Sequence, residues 1–142
     1  MAVVVFDADV LIAYLGRDDV HHSAAVERMR NSLTPGTRRF LSAVNYTELL
    51  IGPLLKQGKP GANVVDAMLA RFGIETIQAD MDLARRAAAV RARTRLKLPD
   101  AYALATAVHA EKRGHSEVRL ETFDQKVINA YKALHPLTPD LD

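Results

Sequence analysis

The chain has 142 residues, 49% apolar and 25% charged, which suits one soluble domain over residues 1–142 with a single core. It contains no cysteine, so disulfides and thiolate metal sites are excluded and any metal must be held by oxygen or imidazole. The same lack suits a reducing cytosol, and a cytoplasmic location is expected. The formal charge of +2 says little about partners. The N-terminal apolar stretch lacks a basic leader and carries two acids where a secretory signal needs hydrocarbon. No window is apolar for long enough to span a bilayer, so no membrane association is expected.

In chain order, the run Ala2 to Phe6 predicts a buried strand and Ala8 to Leu15 a short helix. The stretch FDADVLIAYL places Asp7 and Asp9 between two segments that both belong in a core. A buried carboxylate there costs several kcal/mol unless it caps the next helix or holds a cation. GRDD turns the chain, and Ser23 to Leu33 predicts a helix with Ser23 as N-cap, broken by Thr34-Pro35-Gly36. A short strand at Arg39 to Leu41, a helix from Ala43 to Lys56 and a loop at Gly58 to Gly61 follow. Next come a helix from Asn63 to Arg71, ended by Gly73, and a third strand from Ile74 to Ile77. Asp80 caps an Ala- and Arg-rich helix to Thr94, and Pro99 starts a helix that runs to Lys112 and stops at Gly114. Val118 to Thr122 is the fourth strand, Asp124 to Leu134 the last helix, and Leu137 the start of a short edge strand. Strands separated by helices imply parallel pairing. The expected class is α/β, a three-layer α/β/α sandwich around a central, mainly parallel sheet of four or five strands.

Four acids stand out by position. Asp7 follows the first strand and Asp124 the fourth, at the carboxyl ends where open α/β sheets bind ligands. Glu48 interrupts a helical stripe of Val44, Ile51 and Leu55. Asp100 opens a helix just after Pro99. Each has an ordinary alternative, as a helix cap, a boundary residue or a complement to the helix dipole. As a set they differ, because two carboxylates 4 Å apart repel by about 4 kcal/mol at an effective dielectric near 20. Such a cluster is tolerable mainly when a hard cation shares it, and all-oxygen ligands suit Mg²⁺ or Mn²⁺. RRAAAVRARTRLK, residues 85–97, carries six Lys/Arg and no acid. It is read equally as a solvated helix face or as a contact for a phosphate backbone. The histidines His21, His22, His109, His115 and His135 show no paired metal spacing.

Taken together, VVFDADVLIAYL, NYTELLIG, LKLPDAYALATA and ETFD, in that order, resemble the PIN-domain ribonucleases, and within them the VapC-type toxins of bacterial toxin–antitoxin pairs. The resemblance covers nearly the whole length. It implies a PIN-like fold and a Mg²⁺- or Mn²⁺-dependent endoribonuclease in which Asp7, Glu48, Asp100 and Asp124 are catalytic and bind metal. Thr122 and Asp9 would support them, and Arg91, Arg95 and Lys97 are candidate contacts to a tRNA or rRNA substrate. Cleavage would leave a 5′-phosphate and a 3′-hydroxyl. A homodimer and a cognate VapB-type antitoxin are the expected protein partners.

The sequence departs from the family pattern twice. Asp9 stands where a Ser or Asn is usual, and Val127 where an aromatic residue is frequent. Two other readings compete. FDADVL also resembles the opening of haloacid-dehalogenase-type phosphatases, but ETFDQK has one acid rather than a late acidic pair and no cap-sized insertion is present. The other is a PIN fold that binds RNA or protein without catalysis, which the presence of all four acids opposes.

Overall fold

The computed structural model describes residues 1–134; the expected edge strand at Leu137, and His135, lie outside the described residues. Eleven elements alternate along the chain: β1 (Ala2–Phe6), α1 (Ala8–Leu15), α2 (His22–Ser32), β2 (Thr37–Ser42), α3 (Ala43–Gln57), α4 (Lys59–Arg71), β3 (Ile74–Ile77), α5 (Met81–Thr94), α6 (Leu98–Lys112), β4 (Glu117–Glu121) and α7 (Gln125–Leu134). The four described strands form a parallel sheet in the order β3-β2-β1-β4.

Burial explains why β1 is central. Val3 to Phe6 are all buried, as a strand covered on both faces requires. Val4 and Phe6 pack with α1, α2, α3 and α4 through Leu11, Met29, Leu49 and Val65. Val3 and Val5 point the other way, onto Ala107 and Ala110 of α6. α5, α6 and α7 complete that second layer through Leu83, Val90, Leu104 and Val127. The three-layer sandwich follows directly, and Val127 fills core space in α7. The edge strand β4 reads EVRLE, with its charges at the rim, which discourages further pairing. No helix among the described residues is long and apolar enough to cross a membrane.

The chain crosses from β1 to β2 and β3 on one side and returns to β4 on the other. The crevice between the carboxyl ends of β1 and β4 is therefore the topological switch point, where such sheets place ligands.

Three local expectations need correction. Ser23 does not cap α2; His21 holds the N-cap position and makes no side-chain cap bond. The loop expected at Gly58 to Gly61 is a single hinge at Gly58, with φ 65° and ψ −146°, after which α4 starts at Lys59. That backbone region is open essentially to glycine alone, and Pro60 pre-sets the first turn of the new helix. On α3 the stripe of Val44, Ile51 and Leu55 is not the core face: Ile51 is 53% exposed and Leu55 82%. The buried face is Asn45 and Leu49.

α4 crosses α3 where Gly61 meets Pro53, and a Cβ at Gly61 would lie 2.2 Å from the Pro53 carbonyl oxygen. Backbone atoms there have no rotamer to yield. Gly61→Ala is therefore expected to lower the free energy of unfolding by about 1–3 kcal/mol, measured by urea denaturation, while Gly52→Ala, with open space around it, does not show that steric loss.

Candidate active site

Asp7 ends β1 and begins α1. Its Oδ1 accepts from the Ala8 amide at 2.8 Å, making it the N-cap of α1. Its Oδ2 accepts from the Thr122 hydroxyl at 2.8 Å, across 115 residues of sequence. The Thr122 oxygen in turn accepts from the Asp124 amide at 3.1 Å. One buried hydroxyl thus joins the acid after β1 to the acid after β4. Asp124 caps α7, accepting from the Lys126 amide at 2.9 Å. Its capping role and its place at the site coexist.

Asp9 lies in the first turn of α1 rather than at its cap. Its Oδ2 accepts from the Phe123 amide at 2.9 Å and lies 3.4 Å from the Thr122 hydroxyl. Its Oδ1 is buried with no hydrogen-bond partner among the described residues. The loop between β4 and α7 is held from its other side too. His21 stacks on the Phe123 ring at 4.8 Å, and the Arg28 guanidinium lies 5.0 Å from the same ring. Arg28 also donates to Glu121 at 2.6 Å.

Glu48 and Asp100 are brought together by a residue to which sequence reasoning gave no role. Asn45 is buried, and its Nδ2 donates to Glu48 Oε1 and to the Pro99 carbonyl, each at 3.0 Å. Its Oδ1 accepts from the Ser42 hydroxyl at 2.5 Å, and its amide donates back to Ser42 Oγ, which caps α3. Asn45 therefore ties α3 to the start of α6, one residue before Asp100. The only sequence signal was a polar residue one turn before Glu48.

Asp7, Asp9 and Asp100 lie close enough to one another and to Asp124 for neighbouring charge to raise their proton affinity, and Glu48 acts on Asp100. Burial pushes Asp7 up to about 7, with Asp9 and then Asp100 adding to the rise against the bond from Thr122. Asp9 is raised, chiefly by burial and also by Asp124, against its bonds from the Phe123 and Val10 amides. Asp100 is raised by burial, then by Asp124, Glu48 and Asp9. Yet among the described residues no three carboxylate or imidazole groups stand in the geometry of a formed metal site. The carboxylates are neighbours rather than a closed cage. Their donor chemistry, all hard oxygen, fits Mg²⁺ or Mn²⁺, and the unpartnered Asp9 Oδ1 is the kind of atom such an ion satisfies.

A cavity of about 950 Å³ adjoins the acids, lined by Arg93, Arg95, Lys97 and Lys126 as well as Asp100 and Asp124. Of the three basic residues singled out from sequence, Arg95 and Lys97 reach it. They lie in the turn after α5, not on the helix. Arg91 does not line the cavity: its guanidinium donates to the Leu96 carbonyl and holds that turn. Lys126 was not anticipated. His22 is satisfied by the Ala13 carbonyl at 2.8 Å.

The sequence matches the PIN domain family over residues 4–133. Its fold is similar to that of VapC20 of Mycobacterium tuberculosis, a sarcin–ricin-loop-cleaving toxin, with TM-score 0.67 and 20% identity over 92% of this chain and 95% of that one. VapBC2 of Rickettsia felis, bound to a DNA fragment from their promoter, gives TM-score 0.59 and 13% identity over 87% and 100% of the two chains. FitAcB of Neisseria gonorrhoeae gives TM-score 0.59 and 19% identity over 93% and 94%. Comparison with curated proteins gives no significant match.

The raised Asp7 has a consequence for stability. Its folded pKa of about 7 exceeds its ordinary 3.8, so the native state keeps a proton that the unfolded chain releases in between. The stabilisation is full below about pH 4 and lost as pH rises through about 7, on the order of 4 kcal/mol. In chelator, Asp7→Asn is expected to be more stable than the parent at pH 7.5, with the difference closing towards pH 4. Urea denaturation at several pH values reads this directly; a gap that does not change with pH would refute it.

Proposed function

The chain belongs to the PIN-domain family, and on that premise we propose that it is a divalent-metal endoribonuclease acting as the toxin of a VapBC-type pair. Its substrate class is a structured RNA, tRNA or rRNA. The observation that carries this reading is the crowding of Asp7, Asp9, Asp100 and Asp124 with Glu48 beside a cavity lined by cations. Carboxylates held against their mutual repulsion suit a cation, and a basic cavity next to them suits a phosphate backbone. The likeness to VapC20, which cleaves the sarcin–ricin loop, supports RNA as the substrate.

Asp7, Asp100 and Asp124, with Glu48, would hold Mg²⁺ or Mn²⁺, and the Asp9 Oδ1 is a further oxygen free to face it. When bound, such an ion lowers the pKa of an attacking water and neutralises charge on the phosphoryl oxygens. The protein's own residues do the positioning. Thr122 fixes Asp7 and the Asp124 backbone in one arrangement, and Asn45 fixes Glu48 against the start of α6. Glu48 would then bind metal or orient the water. Attack by water rather than by the RNA 2′-hydroxyl breaks the bond to the 3′ oxygen, leaving a 5′-phosphate and a 3′-hydroxyl.

A protein partner is supported by apolar side chains left in water. Ile12, Ile51, Leu54, Leu55 and Val64, on α1, α3 and α4, are 44–82% exposed. Because α1, α3 and α4 pack together, exposed apolar side chains on them suit a protein partner. With the likeness to VapBC2, a homodimer and a VapB-type antitoxin are the occupants this reading assigns.

The test is cleavage of a panel of tRNAs and rRNA fragments with Mg²⁺, Mn²⁺ or chelator. Metal-dependent cleavage giving 5′-phosphate ends is expected, slowed at least about 100-fold by Asp7→Asn or Asp100→Asn. Tight RNA binding with no metal-dependent cleavage across the panel would replace this reading with a non-catalytic RNA-binding module.

A further inference from the structure

We propose that the cavity between the α5–α6 turn and α7 is a two-walled phosphate subsite, in which Arg95 and Lys97 face Lys126 and Asn129 across an RNA strand leading from the acids. The inference rests on the ribonuclease reading and deepens it by naming where the substrate backbone lies. The cavity is lined by residues of both elements, with Asp100 and Asp124 also on its wall. At about 950 Å³ it is at the upper end of ligand clefts. Arg95, Lys97 and Lys126 make no ion pair within 4 Å among the described residues, although Lys97 lies near enough to Asp100 to favour its charged form.

The turn is built to present these charges. Leu96 is buried and pins it from below, while Arg95 and Lys97 on either side stay exposed. The Leu96 carbonyl accepts from the Arg91 guanidinium and its amide donates to Thr94 Oγ1 at 3.2 Å, so the turn is fixed at both ends. Arg95 itself is left-handed, with φ 61° and ψ 19°, and is the one non-glycine residue with positive φ among those described. Helices ending this way favour glycine at that position. An arginine there gives the backbone nothing that glycine would not supply more easily; what glycine lacks is a charged side chain on a residue that lines the cavity. On the opposite wall, Lys126 stands in the first turn of α7, whose N-terminus is capped by Asp124. The subsite and the acids are therefore fixed by the same short segment.

The assay is fluorescence anisotropy with a labelled single-stranded 15-nucleotide RNA, in EDTA, from 50 to 200 mM NaCl. Binding should weaken with salt in proportion to the phosphates neutralised. Lys126→Ala and Arg95→Gly should each weaken binding by roughly 3–10-fold and flatten the slope of log Kd against log salt by about 0.7, the value for one contact to a single strand. Arg95→Gly should melt no lower than the parent, since glycine suits φ 61°, which separates lost binding from lost fold. Arg113→Ala, at the far end of α6, should leave the slope unchanged. Unchanged slopes for Lys126→Ala and Arg95→Gly, equal flattening by Arg113→Ala, or no binding by the parent at 50 mM would each overturn the subsite. Because no metal is present, these results are independent of cleavage: slopes that behave as expected beside a failed cleavage panel would keep the subsite and remove the hydrolysis.

Discussion

The structure turns on the bond between the Thr122 hydroxyl and Asp7 Oδ2. Asp7 is 3% exposed and ends the central strand, so it has little water to solvate it. Its carboxylate is instead shared between two donors, the first amide of α1 and the hydroxyl after β4. The same hydroxyl oxygen accepts the Asp124 amide. Three constraints meet in this pair of side chains: the cap of α1, the pairing of β4 with β1, and the placement of Asp124 at the start of α7. A buried carboxyl bound on both sides leaves little freedom in how the crevice closes, and burial, with Asp9 and Asp100 nearby, raises its proton affinity more than its two donors lower it.

Much of the frame was legible because it is local. Ala2 to Phe6 is a five-residue apolar run, and it is β1. Asp80 caps α5 by accepting from the Leu83 amide at 2.9 Å, as its place before a helix-forming stretch implied. Pro99 marks the start of α6 because its fixed φ belongs in a first turn. Failure came where hydrophobicity was equated with burial in this chain alone. Ile51 and Leu55 repeat with a helical period, and the periodicity is real, but it describes an outward face of α3. The inward face carries Asn45, a polar residue whose burial is tolerable only because all its hydrogen bonds are made. A helical wheel cannot tell an apolar face that packs within the fold from one that stays outside it.

For the candidate site, the four acids and Thr122 stand out in the sequence, while most of what holds them does not. Asp7, Glu48, Asp100 and Asp124 declare themselves by sitting at element starts or breaking an apolar stripe. The residues that hold them act over long separations: Asn45 reaches Pro99 across 54 positions, and Arg28 reaches Glu121 across 93. Neither pairing leaves a trace in local spacing. Arg91 shows the converse. It belongs to the basic run and looks like an RNA contact, yet the turn after α5 recruits it to hold a carbonyl. Whether a given arginine is spent inside the fold or left for a ligand depends on which carbonyls the turn leaves unsatisfied, and that is set by tertiary structure.

The departure at Asp9 follows from the same reasoning. An additional carboxylate beside Asp7 raises the repulsion in a crevice already crowded with acids, and a smaller polar residue would avoid it. Its Oδ2 is accommodated because the Phe123 amide points at it, and that amide is aimed by a ring which His21 and Arg28 hold in place. Only half of the carboxylate is thereby satisfied. The remaining oxygen is buried and makes no well-formed hydrogen bond among the described residues, with only the nearby Val10 amide favouring the charge. Such an atom is costly in a fold that needs nothing further. In a fold that takes up a cation it is an advantage, because it adds negative charge where the ion sits without adding another group to be ordered. Asp9 thus ties the loop carrying Asp124 to the first turn of α1.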